Sequence, residues 1–575
     1  MIKEKDDSSD KPNRLAALDL ALLLGRIDRR TFIRLCVSAG MSAASATVIA
    51  AESSAAFSNQ LERARSLESR YDYIVCGAGS SGCVVASRLA ADPRVKVLLL
   101  EAGGSDEAPG LVDPGIWFTN IGSPTDWDYR SEPTEALNQR SVVVPMGRAL
   151  GGGSSINAMV WARGHKNDFE FWAKESGDRN WGYDHVLSIY KRIENWQGTP
   201  DPARRGTGGA VWIEQLKDPS PVATMAQKAA ARIGIPAFDD MNGEMMEGEG
   251  GSAMPNVIIK EGRRHNMFSA YLRPMLTRPN LTVLSGAFVS KVLLRGDDAD
   301  GVEFKWRDQL HRIQAGKLVL SMGAINTAKV LMLSGIGDQN ALKKFEISSR
   351  HHLPGVGENY QDHPIVEGCI WEYKTPLAPR NNAAEWTFFW KSRQELAEPD
   401  LQPFLLEIPV AGERMHKLYR MPENGFVIAP GLVRPKSRGT VQLRSSDPKA
   451  SPLVQPNFLQ HPDDIEALTR GVELCREIGN SAEMRDLVKR EVSPGAVSKA
   501  EVATLLRNAA ESYGHSTGTC RMGTDKMSVV DSNLAVHGLK NLYVADGSIM
   551  PRVTTGNTMA PCVIIGERMA EILTS

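Results

Sequence analysis

The chain has 575 residues, 42% of them hydrophobic and 23% charged, which suits one large bilobed body or two to three folded domains. A formal charge of −1 removes any global electrostatic case for nucleic acid or an anionic membrane surface as partner. Seven cysteines are scattered at 36, 76, 83, 369, 475, 520 and 562 with no CxxC pair or Cys/His cluster, so buried thiols are expected and a metal or dithiol centre is not.

Near the start, Arg29-Arg30 opens a basic hexapeptide, and residues 35–51 that follow are small, weakly apolar and uncharged. Ser53, Ser54, Ala55 and Ala56 then offer a small-residue cleavage region. This order resembles a twin-arginine export signal over 1–57, which implies a periplasmic or secreted protein. The competing reading is an exposed basic helix followed by a buried one. The apolar run is too short, and too rich in Ser, Ala and Gly, for a stable membrane span. Substrates of that route cross the membrane already folded, which suits a chain that must close around a bound group first.

A polar, helix-like link (59–70) leads into a β-rich run at 71–76 and then Gly77-Ala78-Gly79-Ser80-Ser81-Gly82. Residues 83–91 read as a helix with a small apolar face, Pro93 ends it, and 95–100 is a second buried strand closed by Glu101. Strand, glycine loop, helix, strand and acid within about thirty residues make a right-handed βαβ unit. Gly77 allows the tight turn, Gly79 lets the backbone approach a pyrophosphate, and Gly82 allows close helix–strand packing. Ser80 and Ser81 sit at the N-terminus of the helix, whose free N–H groups and positive dipole end face the anion. Glu101, 19 residues after Gly82, can accept from ribose hydroxyls. NAD and FAD both satisfy this unit.

The second glycine cluster runs Gly147-Arg148-Ala149-Leu150-Gly151-Gly152-Gly153-Ser154-Ser155-Ile156-Asn157, with Ala158 next. Three consecutive glycines let backbone N–H groups press against a flat ring or a phosphate. Here the chain resembles the glucose–methanol–choline (GMC) oxidoreductases. The likeness accumulates through Gly323-Ala324-Ile325-Asn326-Thr327 to Gly335-Ile336-Gly337, then Leu353 to Asn359 with Gln361-Asp362-His363. It departs at Ala328, where Ser or Pro is usual, a change expected to be harmless.

That resemblance implies FAD, with Arg148, Gly152, Ser154, Asn157 and Ala158 along the flavin and pyrophosphate. It implies Val289 at the adenine, and Asp546, Gly547, Asn557 and Thr558 at the pyrophosphate, ribityl chain and flavin edge. In Ser512-Tyr513-Gly514-His515 the first histidine is the family's base; Ser516 replaces the usual following proline, and the partner position, His or Asn in the family, is Asn557. The implied reaction oxidises an alcohol to an aldehyde or ketone by hydride transfer to flavin N5. A neutral imidazole takes the hydroxyl proton and Asn557 holds the alkoxide-like oxygen.

Strand-like pieces at 280–304 and 314–320, a helix through Gly323, strands at 425–432 and 439–444, a helix at 462–478, a strand at 542–547 and a final helix from Gly556 complete the pattern. The expected fold is α/β: a doubly wound, Rossmann-like FAD domain (70–180, 256–362, 511–575) with an interleaved α+β substrate domain (181–255, 363–510) on an antiparallel sheet. The aromatic run 385–390 is assigned to core ahead of pocket wall, and Tyr513 can line the pocket. His351, His352, His363 and His537 are expected to be surface or structural. An alcohol is the expected substrate, with choline not favoured. A dehydrogenase is favoured over an oxidase, its acceptor (quinone, cytochrome or O2) unspecified. The competing functions are a hydroxynitrile lyase on the same scaffold and a non-catalytic FAD-binding protein.

Overall fold

The computed structural model describes residues 18, 22, 27–38, 41–106 and 108–575; the remainder of the expected leader, residues 1–17 foremost, lies outside the described residues. No helix among the described residues is long and apolar enough to cross a membrane. What is described of the leader is a helix Arg29–Ser38 and a longer one, Ala43–Arg65, packed together through Phe32, Cys36, Ala46 and Ala50. The second helix runs without a break through the stretch expected to contain a cleavage region and a separate polar link.

The doubly wound part rests on a seven-stranded sheet in the order Leu281–Ser285, Val97–Glu101, Arg70–Cys76, Gln309–Leu320, Asp298–Trp306, Phe288–Arg295. Leu542–Val544 joins in parallel at the far end of Gln309–Leu320, with Leu318 opposite Leu542. The first four strands are mutually parallel, while the last three form an antiparallel meander. Val97–Glu101 is buried throughout, as a parallel strand covered on both faces must be. Helix Ser80–Ala90 covers one face and packs against the terminal helix Met559–Thr574. The unit therefore draws its strands from the beginning, middle and end of the chain.

The second sheet has six strands, all neighbours antiparallel: Val488–Ser493, Ile370–Tyr373, Gly425–Ala429, Phe404–Leu406, Trp386–Phe389 and Gly251–Ala253. Helix Pro462–Gly479 packs on it with Leu468, Val472, Cys475 and Ile478 inward, a 3.6-residue repeat. Its start carries Pro462 in the first turn, Asp463 and Asp464 at the positive dipole end, and a His461 ring accepting from Asp463 N at 3.2 Å. Trp386, Phe388 and Phe389 are buried in this lobe, as core residues.

Candidate active site

One cleft is lined both by the glycine segments and by residues of the antiparallel lobe. Gly77, Gly79, Ser80, Ser81, Glu101, Gly152, Asn157, Ala158, Val289, Asp546, Gly547, Asn557 and Thr558 all line it, together with His515. Helix Ser80–Ala90 opens at Gly79 with no side-chain cap, so its first N–H groups are free toward the cleft.

Two glycines of the loop differ in what they exclude. A Cβ on Gly82 would stand 1.9 Å from Gly77 O, so Gly82 packs helix against strand. A Cβ on Gly79 would meet only Ser321 O, at 3.8 Å, and would otherwise project into the cleft. The loop thus leaves a cradle that a side chain would fill, which is the fit expected of a pyrophosphate site.

Three expected residues do not line the cleft. Gly82 serves in helix–strand packing, as expected of it. Ser154 is fully buried and turned inward: its Oγ donates to Gly151 O at 2.6 Å and accepts from Met267 N at 3.0 Å, holding the glycine turn. Arg148 lies over the Trp127 ring, 4.9 Å from its centroid. Glu101 reaches the cleft, but both carboxylate oxygens already accept backbone N–H groups, from Ala78 at 2.9 Å and Gly103 at 2.7 Å. Burial raises its pKa against these donors and the nearby Arg148 charge. Asp546 is similarly anchored, accepting from Gly323 N, Thr327 Oγ1 and Ser548 N at 2.6–2.9 Å.

His515 is nearly buried and follows Gly514, whose φ of +79° turns the chain into the cleft. Its backbone N–H donates to Asp362 Oδ1 at 2.8 Å, and Tyr513 stacks on its ring at 4.7 Å and 15°. Nε2 lies 3.2 Å from Asn557 Nδ2, and Gln402 Nε2 donates to Asn557 Oδ1 at 3.1 Å. Burial pulls the His515 imidazole down to about 3, so it is neutral near pH 7. Asp362, which also accepts from Ser512 and Tyr360, is pushed up to about 6 by burial.

His363, expected to be surface or structural, is of the buried, structural kind. It is completely buried with Nδ1 2.9 Å from His515 Nδ1, the rings 5.0 Å apart and near perpendicular. The two histidines are 152 positions apart, and only the antiparallel pairing of Pro364–Val366 with Ala510–Ser512 brings them together. No spacing signal could have found them. The wall beyond is apolar, with Val160, Ile365, Ala384, Phe404 and Leu406. Glu367, also unread in the sequence, lines it too, and burial with the Glu511 charge raises its carboxyl to about 8.

The family model described as GMC oxidoreductase matches residues 71–365 in its N-terminal part and 435–566 in its C-terminal part. The chain belongs to the GMC oxidoreductases. These are FAD-binding flavoproteins, and FAD is the cofactor. An alcohol dehydrogenase [acceptor] of Pseudomonas putida is 37% identical over 535 residues, 88% of this chain and 95% of that one. An oxygen-dependent choline dehydrogenase of Klebsiella pneumoniae is 35% identical over 88% of this chain and 96% of its own. Pyridoxine 4-oxidase from "Mesorbium loti" superposes with a TM-score of 0.84 at 31% identity, over 87% of this chain and 98% of that structure. This GMC oxidoreductase thus has alcohol and choline dehydrogenases among its relatives.

Proposed function

We propose that this chain is an exported, FAD-dependent dehydrogenase that oxidises an alcohol with an apolar body to its aldehyde or ketone. His515 acts as base and Asn557 holds the alcohol oxygen. The observation that carries the reading is the pair His515 Nε2 and Asn557 Nδ2, 3.2 Å apart on the wall of the cleft. Gly77, Gly79, Ser80, Ser81 and the uncapped helix start would hold the pyrophosphate of FAD. Glu101 would take the ribose and the backbone at Val289 the adenine. Gly152, Asn157, Ala158, Asp546, Gly547 and Thr558 would take the flavin side. When bound, FAD supplies the electron sink that takes the hydride from the carbinol carbon.

The residues do the rest. A neutral His515 accepts the hydroxyl proton at Nε2 as the carbinol carbon is oxidised, and an Asn557 N–H donates to the oxygen as its charge develops. The apolar wall favours an alcohol with a hydrocarbon body over a sugar. Burial and the Glu511 charge raise the Glu367 carboxyl on the cleft wall to about 8, which weakens it as a counter-ion for a quaternary ammonium and ranks choline below an apolar alcohol. Likeness to an alcohol dehydrogenase [acceptor] supports a dehydrogenase over an oxidase, with the acceptor (quinone, cytochrome or O2) left open. The leader reading is supported by Arg29-Arg30 and by the family match beginning only at residue 71.

The test is an anaerobic panel of aliphatic, aromatic, sugar and amino alcohols, scored by bleaching of the flavin absorbance. Apolar alcohols should bleach it fastest, and His515→Ala should slow bleaching by on the order of 10² to 10⁴. Normal bleaching in that variant refutes the base. Cyanide release from mandelonitrile, with no alcohol bleaching the flavin, refutes the oxidation itself.

A further inference from the structure

The proton inventory around His515 is fixed by its neighbours. Gln402 Nε2 donates to Asn557 Oδ1, which leaves Asn557 Nδ2 to donate to His515 Nε2. That nitrogen is therefore an acceptor without a proton, and the single proton of the neutral ring sits on Nδ1. Nδ1 faces His363 Nδ1 at 2.9 Å, so His363 must accept there.

The surroundings of His363 keep it able to accept. Around it stand the His515 ring, Tyr513 edge-on at 6.4 Å, and the Asp362 carboxylate, which is turned to Ser512 and to the His515 N–H. The one cation facing it among the described residues is Arg434, whose guanidinium is paired with Asp168 at 2.7 Å and Glu398 at 3.1 Å. Burial, His515 and Arg434 all disfavour a proton on the imidazole. The remaining nitrogen, Nε2, is buried and carries the ring's own proton, with the backbone carbonyl of Val433 as its neighbour.

We propose that His363 is a positioning residue for His515: its Nδ1 accepts the His515 Nδ1 proton and so turns a bare Nε2 toward the alcohol hydroxyl. This rests on the reading of His515 as base. When Nε2 takes the hydroxyl proton, the imidazolium keeps its Nδ1–H bond to His363, and no proton passes between the rings. A carboxylate in the same place would hold His515 protonated in the resting enzyme. A neutral acceptor orients the ring and leaves it free to react.

The test uses the FAD-loaded enzyme in three forms: wild type, His363→Leu and His363→Asn, whose Oδ1 can stand where Nδ1 stands. His363→Leu should slow anaerobic flavin reduction by on the order of 10²-fold with KM changed only a few-fold, while His363→Asn recovers most of that loss. The ¹⁵N spectrum of resting wild-type enzyme labelled at histidine needs no variant. It should show His515 with its proton on Nδ1 and a bare Nε2. A proton on Nε2 overturns the proposal, and so does equal loss in both variants or no loss in His363→Leu. If His515→Ala is inactive while His363→Leu is unimpaired, the positioning role alone fails. If His515→Ala reduces the flavin normally, the reading beneath it fails as well.

Discussion

Glu367 shows how much a single half-buried group on the cleft wall can set. Its carboxyl has no hydrogen-bond partner among the described residues, and Arg140, the nearest cation, is engaged with Glu511 at 2.5 Å. Its folded pKa of about 8 lies above its ordinary 4.5. Between those values the unfolded chain gives up a proton that the folded chain keeps, so this group lowers stability as pH rises through that window. Above about 8 the effect levels off. Glu367→Gln removes the titration, so the variant should lose less stability than wild type between pH 5 and 8. The difference grows by at most about 1.4 kcal/mol per pH unit. Denaturant midpoints across that range measure it, and parallel curves for the two proteins would show the carboxyl ionising freely in the fold.

At the scale of elements, helix Ala43–Arg65 runs from the segment proposed as a leader into the folded domain. Leu281–Ser285 is the outer parallel strand of the seven-stranded sheet, and an unpaired strand edge invites association. Gln60 covers it: its Oε1 accepts from Val283 N at 2.9 Å and its Nε2 donates to Leu281 O at 3.1 Å. Asn59 adds bonds to Leu276 O and Arg278 O at 2.7 and 2.9 Å. The end of this helix thus packs as part of the folded body, and under the proposed export N-terminal sequencing of exported material should place the cut before Asn59. A chain started at Leu67 should self-associate in light scattering where one started at Phe57 stays monodisperse; equal behaviour of the two would remove the edge-capping role. None of this was legible in the sequence, because Gln60 and Val283 are 223 positions apart. What was legible is local: the loop Gly77–Gly82 between its strands, and the helix from Pro462, whose period and first turn announce it. His515 and Asn557 were legible through a family likeness. His363 and Glu367 were not, since only pairing across the second lobe gives them a site.

The whole molecule is held at the cleft by segments that the chain itself does not join closely. Residues lining it come from 77–102, 117–127, 145–160, 287–289, 321–333, 365–406, 448, 512–516 and 546–562, so both lobes contribute. A ligand bound there only in the folded state stabilises the whole by RT ln(1 + [L]/Kd), about 4 kcal/mol at a thousandfold excess over Kd. Gly79 separates that linkage from folding, because the place its Cβ would fill is open cleft and its φ of −75° suits any residue. Gly79→Ala should therefore fold with the circular dichroism and Tm of FAD-stripped wild type, retain little flavin, and show a Tm indifferent to added FAD. Wild-type Tm should rise with FAD. Gly82→Ala, whose Cβ would strike Gly77 O at 1.9 Å, should instead fail to give folded protein. Were Gly79→Ala to purify with one FAD per chain, the pyrophosphate would have to lie away from this loop. The argument placing the flavin between the lobes, beside His515, would lose its anchor.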